Sequence, residues 1–232
     1  MWNGKMKALT FSYDDAVTSD EKLIGILNQY GMKATFNINT GTLVHENMPR
    51  VTWRIRNRYG YLTKFYLEEL KDIYKGHEVA SHGYYHLALD RLNEEECRKE
   101  LSDDIELIEK YIGQRPVGMA YANGSYSDMA VGVIASLGLK YARATEPTYN
   151  FELQSDLLRF RPTIHHNDGR LMELARNFAA LKPDKPQLFY VWGHSEEFEH
   201  DRNWEILERF CDTLASNDDI FFGTNAEVFS DL

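Results

Sequence analysis

Short apolar runs alternate along the chain with stretches whose apolar residues recur every three or four positions. Ala8–Tyr13 and Ala34–Asn37 read as buried strands, and Asp20–Tyr30 between them carries Leu23, Ile26 and Leu27 at helical spacing before Gly31 stops it. Leu67–Tyr74 is helical up to Gly76, and His77–Ser81 is a short strand. Asn93–Ile112 is a long helix with both ends marked: Asn93 and Glu96 make a capping box, and Gly113 follows the last turn. Val117–Tyr121, Leu139–Arg143, Leu157–Ile164, Gln187–Trp192 and Ile220–Phe222 read as further strands. Ser127–Leu137, Arg170–Leu181 and Trp204–Ala215 read as helices between them.

Strand–helix alternation predicts a parallel sheet covered by helices. Seven or eight repeats in 232 residues point to an α/β fold, a distorted (β/α) barrel with seven or eight parallel strands. A doubly wound open sheet is the alternative. No linker rich in Pro, Gly or Ser divides the chain, so residues 1–232 are expected to form a single domain. His45–Tyr61 breaks the rhythm and reads as an inserted loop or hairpin.

Composition adds exclusions. Lys and Arg number 26 against 36 Asp and Glu, a net charge of −10 that disfavours generic nucleic-acid binding. No apolar stretch approaches the roughly 18 residues of a membrane span, and the first residues show no signal-peptide core, so a cytoplasmic protein is expected. Cys97 and Cys211 sit in amphipathic helices and read as reduced and structural. The oligomeric state has no signature in the sequence.

In parallel α/β folds reacting groups collect where strands end. Here the strand ends carry Asp14-Asp15, Ser81-His82-Gly83-Tyr84-Tyr85-His86, Tyr121-Ala122-Asn123-Gly124, Arg143, His165-His166 and Gly193-His194-Ser195-Glu196. His82 and His86 are four apart, and a helical turn between them would put both imidazoles on one face, able to share an ion. A carboxylate with two imidazoles is a common zinc set.

These segments resemble the motifs of the polysaccharide deacetylases, the NodB-homology or carbohydrate esterase family 4 group. Thr10–Asp15 is similar to the first motif and Ser81–His86 to the second, with its two histidines. Met119–Gly124 followed by Ser125-Tyr126-Ser127 resembles a variant of the third, and Trp192–Ser195 stands where the last motif carries a histidine. The resemblance implies a metal-dependent hydrolase that removes acetyl groups from N- or O-acetylated sugars or oligosaccharides. It implies Asp14 as catalytic base, Asp15, His82 and His86 as metal ligands, and His194 as catalytic acid. The implied cofactor is one divalent ion, zinc first, with cobalt or another as alternatives. An oxyanion would rest on that ion and on a backbone N–H near Tyr121. No membrane or nucleic-acid partner is implied.

Two departures stand out. The family's third motif often carries an arginine that holds the base, and the matching residue here is Ala120. Arg143, which ends a strand, is the expected substitute, with Arg161 second; Arg143→Ala is then expected to lower turnover with little change in stability. The family's Gly-Pro after the aspartates is replaced by Ala16-Val17. The remaining residues have plainer readings: His165 and His166 as site-lining or solvated loop residues, His77 as packing, Glu196 and Glu197 as facing water, and Phe189, Tyr190 and Trp192 as core. Arg50, Arg54, Arg56, Arg58 and Lys64, interleaved with Trp53, Tyr59 and Tyr61, read as an exposed hairpin, with an anionic-glycan platform as the other reading. Hydrolysis of other C–N bonds, such as cyclic amides or imides, and non-catalytic glycan binding are the competing functions.

Overall fold

Eight strands, β1 (Lys7–Asp14), β2 (Ala34–Ile38), β5 (Glu78–Ser81), β6 (Gly118–Ala120), β7 (Tyr141–Arg143), β8 (Ile164–His165), β9 (Gln187–Gly193) and β10 (Ile220–Phe222), form one curled sheet in a computed structural model that describes residues 1–54 and 61–230. All their pairings are parallel. The order is β7-β6-β5-β2-β1-β9-β8, with β10 beside the first half of β1. The ends of this order approach each other, because Phe160 bridges to Arg143 while Thr163 N–H donates to Tyr190 O. The architecture is therefore a distorted (β/α) barrel.

Alternation along β1 divides inside from outside. Leu9, Phe11 and Tyr13 pack outward in the main core, against helices that include α1 (Asp20–Gln29) and α7 (Trp204–Ala215). Thr10, Ser12 and Asp14 face inward, where Thr10 Oγ1 donates to Asn225 and Ser12 Oγ accepts from Asn37. These inward polar groups thus find partners in a neighbouring strand or in α8 (Asn225–Phe229), a short helix that closes the N-terminal end. At Gly118 an added Cβ would lie 2.1 Å from the Tyr141 ring, so glycine there lets that ring fill the interior.

The long helix α3 (Glu94–Ile112) has the expected ends: Asn93 accepts from Glu96 N–H, and Gly113 takes the left-handed conformation at φ 87°. The expected strand over Leu157–Ile164 forms only in pieces: Leu157–Arg159 make a 3-10 turn capped by Asp156, Phe160 makes an isolated parallel bridge to Arg143, and β8 begins past Pro162, which has no N–H to give a ladder. The inserted segment contains an antiparallel pair, β3 (Thr52–Arg54) with β4 (Tyr61–Thr63). Helices α2 (Leu70–Ile73), α4 (Asp128–Ser136), α5 (Leu171–Ala180) and α6 (Ser195–Asp201) complete the molecule. Among the described residues no helix is long and apolar enough to cross a membrane. Cys97 and Cys211 are both free and buried.

Candidate active site

The C-terminal ends of the strands bring the charged residues together. Asp14 ends β1 with 2% of its surface exposed, and its register partner on β2 is Asn37. That pairing puts Asn37 Nδ2 2.8 Å from Asp14 Oδ1. Arg143 Nη2 donates to the same oxygen from across the barrel, and the guanidinium lies 4.5 Å over the Trp192 ring. Asp14 Oδ2 is left facing His82 Nε2 at 3.8 Å and His194 Nε2 at 3.9 Å. Burial works against the charge on Asp14, but Arg143, His82 and His194 outweigh it and hold the carboxyl below its usual value.

Arg143 is fully buried. The expectation of little change in stability on its removal does not fit this position. Its register partner is Ala120, so the guanidinium enters the site one strand over from the family's arginine position. Arg161 points elsewhere and pairs with Glu146 at 2.9 Å.

Asp15 and Ala16 turn the chain sharply, with φ of 86° and 52°, a left-handed region that side chains other than glycine adopt at some cost. The turn aims Asp15 away from Asp14. Its Oδ1 accepts from Asn39 Nδ2 at 2.7 Å, and the buried Lys64 donates to its carbonyl and to Asn39. Burial opposes the Asp15 charge, yet Lys64 and three histidines keep the carboxyl ionised well below the usual range.

His82 and His86 approach each other through a tight loop, with Gly83 at φ 79° and His86 at φ 60°, and not on the helical face their spacing suggested. Their ring centroids are 4.7 Å apart. His82 Nδ1–H donates to Ala120 O at 2.9 Å, which turns Nε2 toward Asp15 and His86. Burial lowers the His82 pKa to about 4, so it is neutral and its lone pair is free. One ligand atom from each of Asp15, His82 and His86 lies within 4.8 Å of the others. An anionic oxygen and neutral imidazoles suit a divalent transition ion, so this donor set fits the expected metal. Beneath the loop, the buried Asp104 accepts from Ser81 Oγ, Thr40 and the His82 N–H.

His194 precedes α6 and is one-quarter exposed. Burial disfavours its charge, but Glu197, Asp14, Asp15 and Glu196 prevail and push it up to about 10. Glu197 does not face water. Its Oε2 lies 3.3 Å from His165 Nε2 and 3.0 Å from His166 Nε2, and its Oε1 is 3.6 Å from His194 Nδ1. Nor is His166 a solvated loop residue: it is 2% exposed and stacked between Tyr13 and Phe198. Glu196 is buried too, which raises its pKa to about 7.

The Tyr121 N–H, expected near an oxyanion, is occupied by Arg143 O at 2.9 Å. His77 is a packing residue whose Nδ1 accepts from Ala34 N–H. Of the basic, aromatic patch, Arg50 is paired with Glu69 and Lys64 is buried behind Asp15, which leaves neither for a glycan platform. Arg56, Arg58 and Tyr59 lie outside the described residues, as do the side chains of Trp53, Arg54 and Tyr61. Asn37, Asn39, Lys64, Asp104 and Glu197 are the site residues that sequence reasoning missed. Two signals were present: the Asn-Ile-Asn at the end of the second strand, and the His-x-x-Glu spacing of His194 and Glu197.

The polysaccharide deacetylase family model matches residues 3–142, more than half of the chain. The protein belongs to the polysaccharide deacetylase family. YxkH of Bacillus subtilis (strain 168), whose name places it among polysaccharide deacetylases, is 23% identical over 142 residues, 61% of this chain and 46% of YxkH. The chain thus matches about half the length of that relative. Solved structures share the fold. The family 4 acetyl xylan esterase of Clostridium thermocellum, solved with a cobalt ion, aligns over 97% of this chain and 91% of its own at TM-score 0.62 and 16% identity. BA3943 of Bacillus anthracis, a pseudoenzyme of carbohydrate esterase family 4, aligns over 95% and 64% at TM-score 0.58 and 16% identity. Solved chains of this fold thus include both an acetyl xylan esterase and a pseudoenzyme.

Proposed function

We propose that this deacetylase is a metal-dependent hydrolase that removes acetyl groups from N- or O-acetylated carbohydrate. The observation that carries the reading is one geometry: Asp14, anchored at one oxygen by Arg143 and Asn37, turns its other oxygen toward His82 and His194 beside the Asp15–His82–His86 cluster. Asp15, His82 and His86 would hold zinc or a related divalent ion; the cobalt bound to the acetyl xylan esterase of similar fold supports that choice. When bound, such an ion supplies Lewis acidity and lowers the pKa of a water toward about 7.

The chain's own residues carry the protons. Asp14 Oδ2 accepts one from the attacking water, and Arg143 keeps that carboxylate ionised and fixed in rotamer. His194, protonated, gives a proton from Nε2 to the sugar oxygen or nitrogen as its bond to the acetyl carbon breaks. The products are acetate and the deacetylated sugar.

Acetate release from a panel of N- and O-acetylated oligosaccharides tests the reading. Chelation should abolish release and added zinc or cobalt should restore it. Glycan binding without release would favour a non-catalytic role, and turnover of cyclic amides or imides alone would move the protein to that chemistry.

A further inference from the structure

The inserted segment takes hold of the Asp15 turn. Asp15 and Ala16 sit at φ of 86° and 52°, and Ala16 is buried, so two consecutive residues with side chains occupy a region that glycine alone enters without cost. Such a turn persists where its surroundings fix it. Here Lys64, which directly follows β4, makes an isolated antiparallel bridge to Val17. Backbone bonds extend the contact on both sides: Thr18 N–H donates to Thr63 O at 2.8 Å, and Phe65 N–H donates to Ala16 O at 3.3 Å. Lys64 N–H in turn donates to Val51 O at 3.0 Å, which ties the turn to the hairpin's first arm as well.

The Lys64 side chain carries the contact inward, with 1% of its surface exposed. Its Nζ donates to Asp15 O, inside the strained turn, and to Asn39 Oδ1 at 2.9 Å, and it lies 3.8 Å from Asp15 Oδ1. The bond to Asn39 decides which way that amide faces. With Oδ1 taken by the ammonium, Nδ2 is the end that meets Asp15 Oδ1, at 2.7 Å. Thr42 Oγ1 donates to the same Asn39 Oδ1 at 2.7 Å and reinforces the orientation. One buried ammonium thus fixes the Asp15 backbone directly and the Asp15 carboxylate through Asn39.

We propose that Lys64 is a positioning residue for the metal, a latch that holds the Asp15–Ala16 turn in its left-handed form and so aims the Asp15 carboxylate at His82 and His86. Asn39 and Lys64 both engage Oδ1, and Oδ2 is the oxygen left for an ion. The proposal rests on the metal-dependent deacetylase reading for its consequence in catalysis; the coupling of Lys64 to the turn does not. An ammonium this close to a divalent ion also repels it, and the two roles have opposite signs. Were repulsion dominant, removing the charge would tighten metal binding, whereas a latch requires that its removal weaken binding.

Titrating the cobalt-loaded chain against a chelator, followed by the visible absorption of the bound cobalt, reads the site without any turnover. Lys64→Met, close to lysine in length, should weaken cobalt affinity roughly 10- to 100-fold, the range for losing a group that orients a ligand. Ala16→Gly in the wild-type background should change affinity by under roughly threefold, because the latch already holds the turn. In the Lys64→Met background the same substitution should recover several-fold of the loss, because glycine removes the penalty that the latch holds down. Unchanged or tighter cobalt binding by Lys64→Met overturns the latch, and so does a loss that Ala16→Gly leaves untouched. If Lys64→Met does not fold, a cooperative urea transition regained in Lys64→Met/Ala16→Gly supports the latch, and its continued absence overturns it. If the wild-type chain binds cobalt and releases no acetate from any acetylated sugar, the deacetylase reading fails while these affinities still decide the latch.

Discussion

Replacing Arg143 tests the centre of the site. The guanidinium is fully buried, donates to Asp14 Oδ1 and lies over Trp192. Arg143→Ala would leave Asp14 buried with Asn37 as its remaining hydrogen-bond donor of this pair and two imidazoles 3.8 and 3.9 Å away. Breaking a buried ion pair by removing one partner costs about 3–5 kcal/mol, a large share of the roughly 5–15 kcal/mol that holds a domain folded. With a urea slope of about 1–3 kcal/mol/M, the unfolding midpoint should fall by roughly 1 M or more. The pH dependence has a definite sign. Because Arg143 depresses the Asp14 pKa in the folded state, its contribution is present above about pH 4 and lost as pH falls through the folded value. The stability gap between wild type and variant should therefore narrow in acid, and the acidic limb of kcat/KM should move to higher pH. Arg143→Lys, which keeps a charge but loses the planar fork, should fall between the two. An unchanged urea midpoint together with an unchanged acidic limb would refute the pairing.

Removing a ligand and removing the base should separate cleanly. By elemental analysis His82→Ala should lose bound metal, and Asp14→Asn should keep it while turnover disappears; metal loss in Asp14→Asn would reverse the two aspartates' roles. Burial raises the Asp20 pKa to about 7 despite donors from Ser195 and Tyr74. The folded state then holds a proton that the unfolded chain has lost between about pH 4 and pH 7, so this group subtracts up to about 1.4 kcal/mol of stability per pH unit as pH rises. Asp20→Asn should flatten that slope in chemical denaturation across the same range. Gly193→Ala should cost roughly 1–3 kcal/mol and slow turnover, because the new Cβ would sit 2.1 Å from His166 Nδ1; an unperturbed melting curve would show that the ring moves freely.

What the sequence made legible was local. Apolar period and capping residues announce α3, and the pairs Asp14-Asp15 and His82/His86 announce chemistry, because each signal lies within a few consecutive residues. What it hid depends on register and return. Asn37 reaches Asp14 only because β2 pairs with β1 at that level, and Lys64 reaches Asp15 only because the inserted hairpin folds back. Glu197 sits in a run, Ser195–Asp201, with four acidic residues and only one large apolar one, so its burial under His165 and His166 has no periodic signature. The five-residue α8 is too short to show a period at all. Near the axis, burial itself misleads: Thr10, Ser12 and Asp14 are polar because each bonds to an inward polar partner on β2 or α8, not because it faces water.

The displaced arginine shows how register can conserve a contact that the linear motif loses. Ala120 and Arg143 are partners on adjacent parallel strands, about 4.8 Å apart in the pairing direction, and both face inward. Met119 and Ala142, one position earlier on each strand, pack outward with α3 and α4. A guanidinium leaving either position starts at the same height beneath Asp14. The His82 Nδ1–H contact uses the Ala120 carbonyl, which a change of side chain leaves in place. Ala120→Arg in the Arg143→Ala background should therefore recover part of the lost stability and raise turnover above that of Arg143→Ala. Ala120→Arg alone should destabilise, because Arg143 already fills the space. A double-mutant cycle measures this as an interaction energy of the order of 1–3 kcal/mol favouring the swap, since residues sharing one cavity are not additive. Additive losses across the cycle would mean that the two positions do not open onto the same space, and that the inward placement of Ala120 beside Arg143 is wrong.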